Sequence, residues 1–206
     1  MKFWFFIGCF CCITVGSSQD KAAIRKAFSI YKEAILTNDG EKAYSIVNQN
    51  TKDFYTNALQ AALHSDSVEI ASFGFMKQLI TLSVRHRIPN NTASKMTGKQ
   101  LFIHTINKGW INKDEVAGIE IADIESEGKY AIIQMKQNNE ELPYFFHFEN
   151  EKGIWKFDLT AIMDTTDRSM EMIIKNSKTT TGQFVTKALE QVSGKKTDAS
   201  IWHPKP

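Results

Sequence analysis

The hydrophobic pattern changes its period once along the chain, and this change constrains the fold more than any other feature of the sequence. From Asp20 to about Asn107, apolar residues recur every three to four positions, as they do on one face of a helix. From Val116 to Leu159 they alternate with polar residues, as they do on a half-buried strand. The chain therefore predicts helices followed by an antiparallel sheet, which together make an α+β domain.

Several amphipathic helices are predicted in the first half. One runs from Ala23 to Ile35 and ends at the turn Asn38-Asp39-Gly40. The others are expected at Glu41–Val47, Thr51–Leu63 and Asp66–Arg85. Each carries an apolar stripe that another helix or a sheet can bury.

Four strands are predicted in the second half, joined by turns short enough for hairpins. They are Val116–Asp123, Tyr130–Lys136, Tyr144–Glu149 and Ile154–Leu159. Two further helices are expected at Asp164–Ile174, with Asp164 as the cap, and at about Gln183–Val192. The predicted architecture is a curved antiparallel meander with the N-terminal helices packed on one face and C-terminal helices appended.

The first residues, MKFWFFIGCFCCITVGSSQ, have the pattern of a secretory signal peptide. An apolar run from Phe3 to Gly16 is too short to span a bilayer comfortably, and cleavage is expected after Ser17 or Ser18. The domain plan is then a leader at 1–18, an α+β domain at 19–162 and C-terminal helices with a tail at 163–206. The protein is expected in the periplasm or outside the cell; a membrane anchor, a buried helix or a lipid on Cys9 are the alternatives.

Composition excludes several classes of function. All three cysteines lie within the predicted leader, so the mature chain would have no disulfide, thiolate nucleophile or Cys-based metal site. No histidine spacing predicts zinc, no glycine-rich loop predicts a phosphate cofactor, and we expect neither a metal nor a cofactor. With 25 basic and 23 acidic residues, no basic surface predicts nucleic-acid binding. Beyond the leader, nothing is apolar enough to hold a membrane.

Two stretches resemble a known superfamily. The helix AIRKAFSIYKEAILTNDGEKAYSIV and the hairpin YFFHFENEKGIWKFDL are similar to segments of the nuclear transport factor two-like proteins. The resemblance covers about Ala22–Val47 and Val116–Leu159, and it implies a cone-shaped α+β fold with any ligand on the concave face. Because that superfamily includes isomerases, dehydratases, binding modules and toxin-neutralising proteins, it does not transfer one activity.

Strand alternation separates the residues of the sheet into two faces. The apolar face carries five aromatic residues, which are either core residues or the lining of a ligand pocket: Tyr144, Phe146, Phe148, Trp155 and Phe157. The polar face carries Glu120, His147 and Asp158, which would then be solvated and poorly suited to acid–base chemistry.

An isomerase or dehydratase in such a cone needs a carboxylate on the inner face, where burial adjusts its pKa. The only candidates are Asp123 together with Tyr130 or Tyr144, depending on the register. A β-bulge would invert the faces locally, and Ile124 directly after Asp123 suggests one. This arrangement disfavours an enzyme.

The sequence thus predicts an exported, non-catalytic module that binds a small hydrophobic ligand or a protein. The alternatives are an isomerase-type or dehydratase-type enzyme and an immunity-type inhibitor of a partner protein. A second copy of the chain, paired through the sheet, is a further partner that the sequence allows.

Overall fold

The computed structural model describes residues 15–204, and within them it confirms the predicted α+β class. Ten α-helices, four strands and one short 3-10 helix are formed. The helices are α1 Val15–Thr37, α2 Gly40–Ile46, α3 Gln49–His64, α4 Ser67–Ala71, α5 Phe75–Arg87, α6 Asn90–Ala93, α7 Gly98–Asn107, α8 Lys113–Ala117, α9 Leu159–Asn176 and α10 Thr181–Ser193, followed by the 3-10 helix Ala199–Trp202. The strands are β1 Ile119–Glu127, β2 Tyr130–Gln137, β3 Glu140–Glu151 and β4 Ile154–Asp158.

The strands form one antiparallel meander in the order β1-β2-β3-β4. Its tight turns place residues at positive φ, as the hairpin geometry requires. Asn138 and Asn139, at φ 52° and 67°, connect β2 to β3. Asparagine tolerates this left-handed conformation better than most residues, so this turn follows directly from the sequence.

The bulge that the sequence suggested in β1 is present. Ile121 pairs with Met135 and Asp123 pairs with Gln134, which leaves Ala122 as the extra residue. After the bulge Ile124 is buried on the inner face, and the Asp123 side chain is 68% exposed.

A second irregularity lies in β3 between the pairs Gln134–Phe145 and Lys136–Glu141. Pro143, which has no amide hydrogen, lies in this segment, and the Gln134 side chain donates to the Leu142 carbonyl oxygen at 2.8 Å.

The main core lies between the inner face of the sheet and the helices that cover it. Aromatic side chains form much of it: the Phe148 and Phe157 rings stack with centroids 4.9 Å apart, and Tyr31 meets Phe157 edge-on at 4.7 Å. Trp155 is only 3% exposed, and its indole N–H donates to Asp20 Oδ1 at 3.0 Å. That bond fixes the start of α1 against β4.

A second, smaller core joins the C-terminal helices to the helical half. Its buried residues are Ile70, Leu82, Val185, Leu189 and Ile201, contributed by α4, α5, α10 and the 3-10 helix. The buried Arg85 of α5 joins the end of α3 to the 3-10 helix, because its guanidinium donates to the carbonyl oxygens of Ala61, Ala62, Ser65 and Ile201.

Several predicted boundaries differ from the structure, and three of these differences involve the helices that line the cavity. The single helix expected at Asp66–Arg85 is two helices, α4 and α5: the backbone is extended at Gly74, and the Asp167 carboxylate caps α5 by accepting from the Met76 amide. Val116 belongs to α8, which Asn112 caps by accepting from the Asp114 amide. Asp158, not Asp164, caps α9, so Leu159 begins a helix and does not extend β4.

A candidate ligand-binding cavity

An apolar cavity of about 360 Å³ lies between the sheet and the helices. Its lining comes from three strands, from α1, α3, α5 and α7–α9, and from the segment before α8. The size falls within the usual range for small-molecule pockets, roughly 300–1,000 Å³.

Aromatic side chains form the floor of the cavity. Phe146 of β3 and Phe157 of β4 have ring centroids 5.0 Å apart, and Phe28 of α1 packs 5.9 Å from Phe146. Strand alternation turns both sheet residues inward, and the helical spacing of α1 places Phe28 and Tyr31 on its buried stripe.

Three hydroxyl groups give the apolar lining its polar character. They belong to Tyr31 of α1, Tyr55 of α3 and Thr105 of α7, all buried. Burial raises the pKa of Tyr31, and the neighbouring Tyr55 raises it further. Burial also raises the pKa of Tyr55, although a hydrogen bond with Thr105 lowers it in part. Both phenols therefore keep their protons across the physiological pH range.

Half-buried and exposed residues form the rim. Trp110, Glu115 and Val116 lie on one side, while Met76 of α5 and Ile162 of α9 lie among the helices opposite. Glu115 is the lining residue that carries a carboxylate, and it is exposed to solvent. The cavity thus has a hydrophobic interior and an acidic group at its rim.

Basic residues lie behind Trp110 and outside the lining. The Arg87 guanidinium carbon is 4.4 Å from the centre of the Trp110 ring, and His104 meets that ring edge-on at 5.8 Å. Burial, Lys108 and Arg87 lower the pKa of His104, which favours its neutral form. The His104 side chain is half-buried.

A carboxylate from α9 holds two walls of the cavity together. Asp167 Oδ1 accepts from the Met76 amide at 2.7 Å, which supplies the N-terminal cap that Gly74 cannot provide for α5. Burial raises the pKa of Asp167, the bond from Met76 lowers it, and Asp164 raises it.

The structure brings two of the five predicted ligand-binding residues to the cavity. Phe146 and Phe157 line it. Phe148 and Trp155 lie in the packed core, and Tyr144 stacks on Phe146 with centroids 5.9 Å apart outside the lining. Glu115 lies near Tyr144 and, after burial, is the second cause of the raised Tyr144 pKa.

The alternative catalytic residues are not assembled on one face. Asp123 points to solvent and lies 4.0 Å from the Lys21 ammonium group. Tyr130 is 56% exposed and sits at the hairpin end of β2, paired with Glu127 and Glu149. Tyr144 alone is on the inner side of the sheet.

The residues of the predicted polar face have structural contacts. Glu120 forms an ion pair with Lys136 at 3.4 Å, and Glu149 forms one with Lys129 at 2.9 Å. Asp158 accepts from the Thr160 amide and from the Asn50 side chain, and His147 is its neighbour across the strands.

Sequence reasoning missed the helical side of the cavity. Tyr31, Tyr55 and Thr105 each lie within an apolar helical stripe. A hydroxyl group within such a stripe is the one local feature that could have indicated a role for these residues. Glu115 was assigned no role because its neighbour Val116 was expected to begin a strand.

Other depressions are less suited to an apolar ligand. The larger one, about 1070 Å³, lies at the surface between α9, α10 and Trp202, where charged and threonine side chains line it. Across residues 15–204, no group of three His, Cys, Asp or Glu side chains could hold a metal ion. Nor does that part of the chain contain a helix long and apolar enough to cross a membrane.

No protein-family model, curated protein or solved structure matches this chain. The likeness to the nuclear transport factor two-like superfamily therefore remains a prediction from the sequence.

Proposed function

We propose that this protein is an exported, non-catalytic module that binds a small hydrophobic molecule in the cavity above the sheet. The observation that carries the proposal is a cavity of about 360 Å³ whose described lining residues are apolar apart from three hydroxyls, the Trp110 indole N–H and a carboxylate. Protein interiors are otherwise close-packed, and an unfilled apolar void of this kind destabilises the fold. A ligand that fills it would recover the lost contacts.

Fluorescence titration tests the proposal. N-phenyl-1-naphthylamine is a hydrophobic probe that brightens in apolar surroundings, and we expect saturable binding with one site per chain. Val116→Trp places a large ring at the rim and should weaken binding at least tenfold. Val192→Trp is the matched control, because Val192 lies on α10, is 69% exposed and is no part of the lining. Equal binding by the two variants would overturn the proposal.

Export is tested separately. The sequence pattern supports a mature chain that begins at Ser18 or Gln19 and needs no detergent. N-terminal sequencing of protein recovered from the periplasm or medium of an expressing bacterium checks this. A chain that retains Phe3–Gly16, or a lipid on Cys9, would contradict it.

Pairing of two copies through the sheet is a second candidate function, favoured by one observation. The outer face exposes Tyr130, Ile132 and Phe145, by 56%, 44% and 47%. Sedimentation equilibrium would give a dimer for the native chain and a monomer for Phe145→Lys. A monomeric native chain at high micromolar concentration would remove this candidate.

An isomerase-type or dehydratase-type activity would depend on Glu115, since it is the carboxylate in the cavity lining. Its exposure favours binding over catalysis, because water at a carboxylate weakens its action on a buried substrate. The proposal of a binding module therefore predicts that Glu115→Gln still binds the naphthylamine probe.

A further inference from the structure

The polar groups of the cavity lie at two depths. The hydroxyls of Tyr31, Tyr55 and Thr105 are buried, whereas the carboxylate of Glu115 lies at the solvent-exposed rim. The Thr105 hydroxyl donates to the Phe102 carbonyl oxygen at 2.7 Å. A ligand that fills the cavity would therefore meet the tyrosine hydroxyls inside and a negative charge at the entrance.

We propose that the ligand is an uncharged hydrophobic molecule with one carbonyl or ether oxygen, which accepts a hydrogen bond from the Tyr31 hydroxyl. This inference rests on the proposed function, because it concerns the same cavity. It adds the chemical class of the ligand and the residue that orients it.

Tyr31 is placed to act as the donor. Its ring is 6% exposed and is held by the edge-on contact with Phe157 at 4.7 Å. Tyr55 already has Thr105 as a hydrogen-bond partner, and none of the hydrogen bonds found within residues 15–204 uses the Tyr31 hydroxyl. Because burial raises the pKa of Tyr31, its proton stays in place to be donated. A hydroxyl at the cavity lining that has no protein partner can donate to a ligand that provides an acceptor.

The charges around the cavity oppose an anionic ligand. The described residues of the lining include no Lys, Arg or His, and they include Glu115. The Arg87 guanidinium carbon is 4.4 Å from the centre of the Trp110 ring, and Arg87 itself is not among the lining residues. A fatty-acid carboxylate would therefore be desolvated without a counter-ion or would lie beside Glu115.

The volume limits the size of the ligand. A cavity of about 150 Å³ accommodates benzene. By the same ratio, the 360 Å³ available here suits a molecule with on the order of fifteen non-hydrogen atoms. A medium-length ketone is a suitable probe.

Competition against N-phenyl-1-naphthylamine at pH 8 tests the inference with three compounds of similar length: 2-decanone, decane and decanoate. We expect Tyr31→Phe to weaken the binding of 2-decanone roughly fivefold, which corresponds to one hydrogen bond of about 1 kcal/mol. The affinity for decane should not change. Tyr130→Phe, on the exposed outer face, is the matched control and should change neither. Decanoate should compete more weakly than 2-decanone, and Glu115→Gln should reduce that difference.

The outcomes separate this inference from the proposed function. If decane and 2-decanone compete but Tyr31→Phe affects them equally, or if decanoate competes as well as the ketone, the ligand class is wrong and the cavity still binds. If no compound displaces the probe, the proposed function fails too.

Infrared spectroscopy provides a second readout in the native chain in case Tyr31→Phe does not fold. The carbonyl stretch of bound, ¹³C-labelled 2-decanone should lie at lower frequency than in hexane, because a hydrogen bond weakens the C=O bond. A frequency equal to that in hexane would overturn the inference.

Discussion

Individual buried polar groups in this protein connect elements that are distant in sequence. The Trp155 indole binds Asp20 across 135 positions of the chain, and the Arg85 guanidinium reaches Ile201 across 116. Such groups are costly to bury without partners, so the stability of the fold depends on each of these hydrogen bonds. Sequence alternation indicated that Trp155 is buried, but no local pattern indicated its partner.

Replacing Trp155 by Ala should lower the free energy of unfolding by ~3–5 kcal/mol, the range for emptying a large aromatic core site. Urea titration measures the loss, and Trp155→Phe is the control that keeps a ring in the site. A loss well below that range would mean that Trp155 is not packed as the structure has it.

Replacing Arg85 by Met should destabilise the fold by about 2–4 kcal/mol, because four buried carbonyl oxygens lose a charged donor. Arg168→Met is the matched control, since Arg168 is exposed on α9 and such substitutions usually change stability by less than ~0.5 kcal/mol. Similar thermal midpoints for the two variants would contradict this role.

At the scale of elements, the sequence predicted those features that a local pattern of residues determines. Alternation identified the four strands and their inner faces, and the adjacent polar Asp123 and apolar Ile124 indicated the bulge. The break between α4 and α5 was missed because the carboxylate that caps α5 at Met76, that of Asp167, lies 91 residues further along the chain. The start of α9 was missed because alternation continued through Leu159.

A double-mutant cycle tests the contact between α5 and α9. A Cβ at position 74 would lie 2.1 Å from Asp167 Oδ2, so Gly74→Ala should displace the carboxylate and remove its bond to Met76. We expect Gly74→Ala to lower the free energy of unfolding by about 1 kcal/mol more in the native chain than in the Asp167→Ala variant. Additive losses in chemical denaturation would show that the two positions do not interact.

The segment after α10 should show a distinct pH dependence. Lys196 first, and then the amide and hydroxyl of Thr197, lower the pKa of Glu190 from its ordinary 4.5 to about 2. Because the pKa of Glu190 is lowered in the folded state, its ionised carboxylate stabilises the fold through this contact above pH 4.5. That contribution to the free energy of unfolding is lost as the pH falls toward 2.

The chemical shift of the Thr197 amide, followed by NMR from pH 6 to 3, should therefore stay constant in the native chain. In Glu190→Gln it should differ from the native value at every pH. Glu171→Gln, on the exposed face of α9, is the control. A Thr197 titration centred near pH 4.5 would contradict the contact.

At the scale of the whole molecule, the cavity exists only because distant parts of the chain meet. The sequence predicted its floor, Phe146 and Phe157, because those residues belong to the alternating strands. The helical walls come from six helices whose mutual placement has no local signature. Phe148 and Trp155 satisfied the same alternation, but they lie in the packed core and do not line the cavity.

The central claim, that the cavity above the sheet binds an apolar molecule, is tested most directly by methyl NMR. N-phenyl-1-naphthylamine would be added to protein with ¹³C-labelled Ile and Met methyl groups. We predict that the resonances of Ile80, Ile119, Ile162 and Met163, which line the cavity, shift with saturation. Those of Ile132 and Ile154, 44% and 54% exposed outside the cavity, should not move. Shifts confined to Ile132 and Ile154, or no shift at any cavity methyl, would contradict the claim.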